Sequence, residues 1–153
     1  MYEIKQITGE DILIRYNNLK HEIDRALEHS DGEWTAAQIV EAAIKEPMMY
    51  HIWEIIKDGS PVAIGTTRVI TYNSFTSLHI ITLGGSEIYE QMPYLITEFE
   101  KMIKEYEHID YLEYTGRRGF IKQLTKVGWN EMYVTMRKNL NASRSVTAST
   151  KGD

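Results

Sequence analysis

Three side chains of this 153-residue sequence have the chemistry of a general base and lie in strand-like stretches: Glu54, His79 and Glu113. A carboxylate or neutral imidazole facing a cleft can accept a proton near neutral pH. Each also has a plainer role. Glu54 alternates with Tyr50, Ile52 and Ile56, as on a half-exposed strand. His79 sits in an apolar run, where a hydrogen-bonded core or edge histidine is common. Glu113 is near enough in sequence to pair with Arg117 or Arg118. Those arginines, in Gly116-Arg117-Arg118-Gly119, are the one concentrated positive feature. At a helix start they suit a phosphate or a partner's carboxylate, and in a tight turn they stay solvated. His21 and His29 stand eight apart, two helical turns where a chelating pair needs one, so no metal site is expected.

The elements that must position these groups follow from periodicity. Residues 78–83 form a short apolar, β-branched run, as in a buried strand, and Gly84-Gly85-Ser86 breaks it. A helix over 93–107 is expected, with Leu95, Phe99, Met102, Ile103 and Tyr106 on one face. A strand over 109–114 follows, then a short helix carrying Ile121, Leu124 and Val127 that stops at Gly128. The alternation over 129–137 predicts a last strand. Upstream, 2–7 alternates as a first strand, and Leu13, Tyr16, Leu19, Ile23 and Leu27 recur at helical spacing to about residue 30. Thr35 can cap a second helix, which Pro47 ends. A hairpin over 50–56 and 62–72 turns at 58–61. The expected fold class is α/β (α+β), a central mixed sheet of about six strands in the order β-α-α-β-β-β-α-β-α-β, with the strands flanking the long helix parallel neighbours.

Composition narrows the function classes. The length suits one domain, taken as 1–140, and no repeat or linker divides it. With no cysteine, disulfides, Cys-ligated zinc and thiol nucleophiles are excluded. A net charge of −5 argues against a nucleic-acid partner. No apolar run approaches the ~20 residues of a membrane-spanning helix, and the first residues show no basic-then-apolar leader, so neither a membrane nor secretion is expected. Residues 141–153 are polar and Ser/Thr-rich, with Val146 the one aliphatic residue larger than Ala. Such a tail cannot fold on its own and is expected to extend and dock on a partner through backbone hydrogen bonds.

With two helices between its first two strands and Lys126-Val127-Gly128-Trp129 closing its last helix, the chain resembles the GNAT superfamily of N-acetyltransferases over residues 2–140. The resemblance implies a cleft where the fourth and fifth strands splay, here 78–83 and 109–114, with acyl-coenzyme A wedged between them. If the chain is active, it implies acetyl-CoA held near Gly84, Gly85 and Ser86, and a base among Glu54, His79 and Glu113.

Several family features are replaced. The family's pyrophosphate loop, Gln/Arg-x-x-Gly-x-Gly/Ala, cannot be laid on 84–93 in any register. Glu87 and Glu90 stand there instead, and each carboxylate within ~6 Å of a diphosphate costs about 1 kcal/mol. Leu124 takes the place of the family's general-acid Tyr, and Arg117 that of an Asn. Leu has no proton to give and Arg accepts none. No cofactor is therefore expected. Residues 116–129, followed by 132–137, are similar to the divergent acetyltransferase-like proteins of tailed bacteriophages. That resemblance implies a catalytically degenerate virion or assembly component in the host cytoplasm or the particle. Its partners would be other protein subunits or further copies of itself, met through Arg117, Arg118 and Val146.

Overall fold

A computed structural model describes residues 1–28, 32–85 and 88–141. Ser86, Glu87, His29, Val146 and all of the tail after Asn141 lie outside the described residues. The elements run β1 Tyr2–Ile7, α1 Glu10–Ile14, α2 Tyr16–Leu27, α3 Ala36–Lys45, β2 Tyr50–Lys57, β3 Ser60–Thr71, β4 Thr76–Gly85, α4 Met92–Ile103, β5 Tyr111–Tyr114 and α5 Arg118–Thr125. The sheet is mixed, in the order β1-β2-β3-β4-β5. Its first four strands are antiparallel, and β5 joins β4 in parallel, as the intervening helix requires.

Local chemistry accounts for the element boundaries. The Thr35 side chain accepts the Gln38 N–H while the Gln38 side chain accepts the Thr35 N–H, a reciprocal cap that starts α3. β2 and β3 are joined by Asp58-Gly59, both at positive φ, which matches the twist of a two-residue hairpin. Pro93 sits in the first turn of α4, where its missing N–H costs nothing. Gly128 ends α5 at φ 93, and the Trp129 N–H closes back on the Leu124 carbonyl.

Helices pack on both faces. Ile7, Ile12, Leu19, Ile23, Ile39, Val40, Ile52 and Ile64 form the core under α1–α3. Trp53, Leu78, Ile80, Ile96, Phe99, Ile103 and Leu124 form the one under α4 and α5.

Three expectations need correction. The helix expected from Leu13 to about residue 30 is two helices broken at Arg15, so Ile12 is buried and Leu13 exposed. α4 ends at Ile103, leaving Tyr106 in an exposed turn. Residues 129–137 are not a strand: among the described residues no neighbour supplies the ladder their alternation needs, and the sheet has five strands. The observed order is β-α-α-α-β-β-β-α-β-α.

Candidate active site

The parallel ladder of β4 and β5 is short. It pairs Ser77 with Tyr111, Leu78 with Leu112, His79 with Glu113 and Ile80 with Tyr114. Beyond Ile80 the strands part, because β5 stops while β4 continues to Gly85 along β3. The β3–β4 register shifts between Thr66 and Thr67, so Ile81 is an extra residue opposite β3 at the point of divergence. Bulges of this kind bend a strand and re-aim its side chains.

His79 and Glu113 come together here. Nδ1 of His79 lies 3.5 Å from Oε1 of Glu113, and the Tyr72 hydroxyl donates to the same oxygen at 3.1 Å. Arg68, opposite His79 in β3, stacks its guanidinium 5.1 Å from the centre of the Trp34 ring. Burial pushes the His79 imidazole below its ordinary value, only partly offset by the bond to Glu113. A neutral imidazole oriented by a carboxylate is a competent general base. Neither Tyr72 nor Arg68 was singled out from sequence. Tyr72 follows directly after β3, four residues before β4 begins, and that short turn is the available signal that it reaches the next strands.

Glu54 is elsewhere. On β2, two strands from the ladder, its carboxylate is gripped by both terminal nitrogens of Arg15, at 3.2 and 2.5 Å. The Glu54 side chain is 8% exposed. A carboxylate so held is a structural ion-pair partner and does not join His79 and Glu113. Arg117 and Arg118 are exposed at the start of α5, and Glu113 turns to His79 and Tyr72 rather than to them.

Gly84 and Gly85 finish β4, paired with Ile64 and Ala63. A Cβ on Gly84 would come 3.0 Å from that of Ala26 in α2, and one on Gly85 would overlap β3 at Val62 and Ala63. These glycines therefore serve close packing. Beyond the divergence, Leu83 from β4 and Tyr114 from β5 pack against one cluster of Ile88, Met92, Leu95 and Phe120. The Tyr114 hydroxyl accepts the Arg117 N–H, its ring folds back over Gly116, and burial raises its pKa. Leu124, which the resemblance sets in the place of a general-acid Tyr, is buried in the α4–α5 core. No group of three or more His, Asp or Glu side chains suited to a metal occurs among the described residues, and no helix there is long and apolar enough to cross a membrane.

The two half-buried imidazoles predict a pH response. His51 is also pushed down by burial, against the pull of the Met48 carbonyl. The unfolded chain takes up these protons near pH 6.5, and the folded chain resists doing so. Acidification below about pH 6.5 therefore favours the unfolded state, and the thermal midpoint should fall from there towards pH 5. Asp58, held low by the N-terminal ammonium, contributes only in more acid solution. The pair of substitutions His51→Gln and His79→Gln should flatten the slope. A wild-type midpoint constant over this window would contradict the partial burial of both rings.

No protein-family model matches the sequence, and neither does any curated protein. Solved structures do. A possible acetyltransferase from Clostridium difficile 630 superposes with a TM-score of 0.66 at 12% identity, over 91% of this chain and 97% of that one. An aminoglycoside acetyltransferase from an uncultured soil metagenomic sample, in complex with sisomicin, gives 0.63 at 12% identity over 92% and 97%. A predicted acetyltransferase with acetyl-CoA from Clostridium acetobutylicum gives 0.61 at 10% over 92% and 97%. The chain has the fold of the GNAT acetyltransferases.

Proposed function

We propose that this chain is a GNAT-fold protein that no longer transfers acyl groups and works as a binding or structural module through contacts with other protein subunits. The observation that carries the reading is the filled wedge. Where the strands part, Ile88, Met92 and Phe120 pack against Leu83 and Tyr114. A ligand pocket takes ~300–1,000 Å³. Two cavities along α4 are smaller: about 120 Å³ between β1 and α4 near Tyr2, Tyr94 and Glu98, and about 50 Å³ beneath α4. The placement of Gly84 and Gly85 in the β3–β4 ladder, tight against Ala26, Val62 and Ala63, adds support, since both positions serve close packing. That the partners belong to a bacteriophage particle rests on the resemblance of 116–137 to phage proteins, and a gene lying outside any phage genome would remove that part.

A second reading, an active N-acetyltransferase with a divergent acyl-CoA site, is favoured by the His79–Glu113–Tyr72 cluster beside the divergence of β4 and β5. In it, neutral His79 accepts the proton of the acceptor amine while Glu113 and Tyr72 fix its orientation.

Calorimetry with acetyl-CoA separates the two. The expected result is no binding tighter than ~1 mM, about −4 kcal/mol. Micromolar binding would overturn the first reading. His79→Gln and Glu113→Gln would then be assayed for loss of turnover, with Glu54→Gln expected to act on stability instead.

A further inference from the structure

One row of side chains runs straight across four strands on the face that carries α1–α3. Tyr50 of β2 stands opposite Arg68 of β3, Arg68 opposite His79 of β4, and His79 opposite Glu113 of β5. Directly opposed residues share a face of the sheet. Arg68 leaves its hydrogen-bonding capacity unspent. A guanidinium has five N–H donors, yet Nε of Arg68 is buried without a partner, and no carboxylate pairs with the group among the described residues. What holds it is the Trp34 ring, 5.1 Å away, itself set edge-on by Tyr50 at 6.3 Å. A guanidinium resting on an indole keeps its planar fork available and loses little freedom when that fork is used.

Glu113 is half spent. Its Oε1 takes the Tyr72 hydroxyl and faces His79, while Oε2 has no partner among the described residues. The His79 and Glu113 side chains keep 19 and 30% of their surface, so the row is open to solvent at this end. The charge of Arg68 is felt at both His79 and Tyr72, but the guanidinium and the Glu113 carboxylate form no ion pair. Opposite charges that served only the fold would be expected to meet, as those of Arg15 and Glu54 do under α1 and α2.

We infer that this row binds a small free amino acid, its carboxylate on the Arg68 fork and its ammonium at Glu113, lying across His79. Neighbouring strands are ~4.8 Å apart, which sets Arg68 and Glu113 roughly 10 Å apart at the backbone. A hydrogen bond of ~2.9 Å at each end leaves roughly 4 Å for the ligand, the spacing of the two charges in an α- or β-amino acid. A peptide places those charges on different residues, so the free amino acid is the fit. The site goes beyond the binding-module reading, and its occupancy requires no acyl-CoA.

The test is nuclear magnetic resonance of the nitrogen-labelled full chain without acyl-CoA, so that failure here and failure of coenzyme binding are read separately. Glycine and β-alanine are titrated at constant ionic strength against propionate, propylamine and aminohexanoate. One of the two short amino acids is expected to bind at ~1 mM. Its binding should move the Arg68 Nε–H and Trp34 Nε1–H signals and leave those of Trp53 and Trp129 in place. Propionate and propylamine, which meet one charge each, should bind at least ~10-fold more weakly, and so should aminohexanoate, whose charges lie too far apart. Arg68→Lys keeps the charge without the fork and should weaken the amino acid at least ~10-fold. Glu113→Gln should weaken it likewise while leaving propionate unchanged, a split that a general loss of structure would not produce. The proposal falls if neither amino acid binds below ~20 mM, the outcome expected if Arg68 Nε is met by an ordered water alone. It falls equally if the single-charge controls bind as tightly, if Arg68→Lys binds as wild type does, or if the shifts gather away from Arg68 and Trp34.

Discussion

Replacing Phe99 with Ala is expected to destabilise the fold by about 3–5 kcal/mol, the range for emptying a buried aromatic site. For a chain of this size that is a fall of roughly 10 °C in thermal midpoint. Phe99 projects from the middle of α4 onto the sheet and is 7% exposed. Its ring meets the Trp53 ring edge-on at 5.0 Å, a geometry that contributes beyond area burial. Neighbouring Ile96 and Ile103 cannot collapse into the space without moving the helix. The loss should therefore sit at the upper part of the range. Chemical denaturation gives the number, and a change below about 1 kcal/mol would show that α4 is not seated through this face.

Arg15→Met should cost about 3 kcal/mol, because it leaves the Glu54 carboxylate under α1 and α2 without its counter-charge. The figure is at the low end for a broken buried pair because the Arg15 side chain is itself 31% exposed and part of its charge is already in water. The double variant Arg15→Met with Glu54→Leu should return to within ~1 kcal/mol of wild type, since no unpaired charge remains. If the double variant is as unstable as the single one, the pair is not the reason Arg15 matters. Its place in the chain would be, because Arg15 is the residue at which α1 ends and α2 begins.

Arg15 also marks a limit of legibility in the sequence. The helical spacing of Leu13, Tyr16, Leu19 and Ile23 is intact across it, so nothing local signals a break. The residue at the break is held by a carboxylate 39 positions away. What could be read was governed by near neighbours. The Thr35–Gln38 cap, the Asp58-Gly59 turn, the stop at Gly128 and the strand–helix–strand run from β4 to β5 depend on residues within a few positions of one another. The candidate site was legible only in part. His79 and Glu113 were singled out separately, but Tyr72 joins them from another strand end. Glu54 carried the same chemical signal and belongs to a different interaction. That Phe120 and Ile88 share one cluster with Leu83 of β4 and Tyr114 of β5 is a property of the assembled fold and has no signature in either residue's surroundings in the chain. The alternation over 129–137 has the pattern of a strand and the expectation fails, because a strand is a relation between two segments and no second segment pairs with it among the described residues.

The position of β1 has a kinetic consequence. β2, β3 and β4 are joined by turns of a few residues, so their ladders close small loops and can form early. β1 reaches the sheet only by pairing with β2 across all three N-terminal helices, Ile7 against Ile52. Closing that longer loop costs more chain entropy before any hydrogen bond compensates it, which makes β1 the last strand to lock and the first to leave. Truncating Ile4 should accordingly speed unfolding with little effect on the folding rate, whereas truncating Leu78 should slow folding, and the reverse pattern would place the nucleus at the N-terminus.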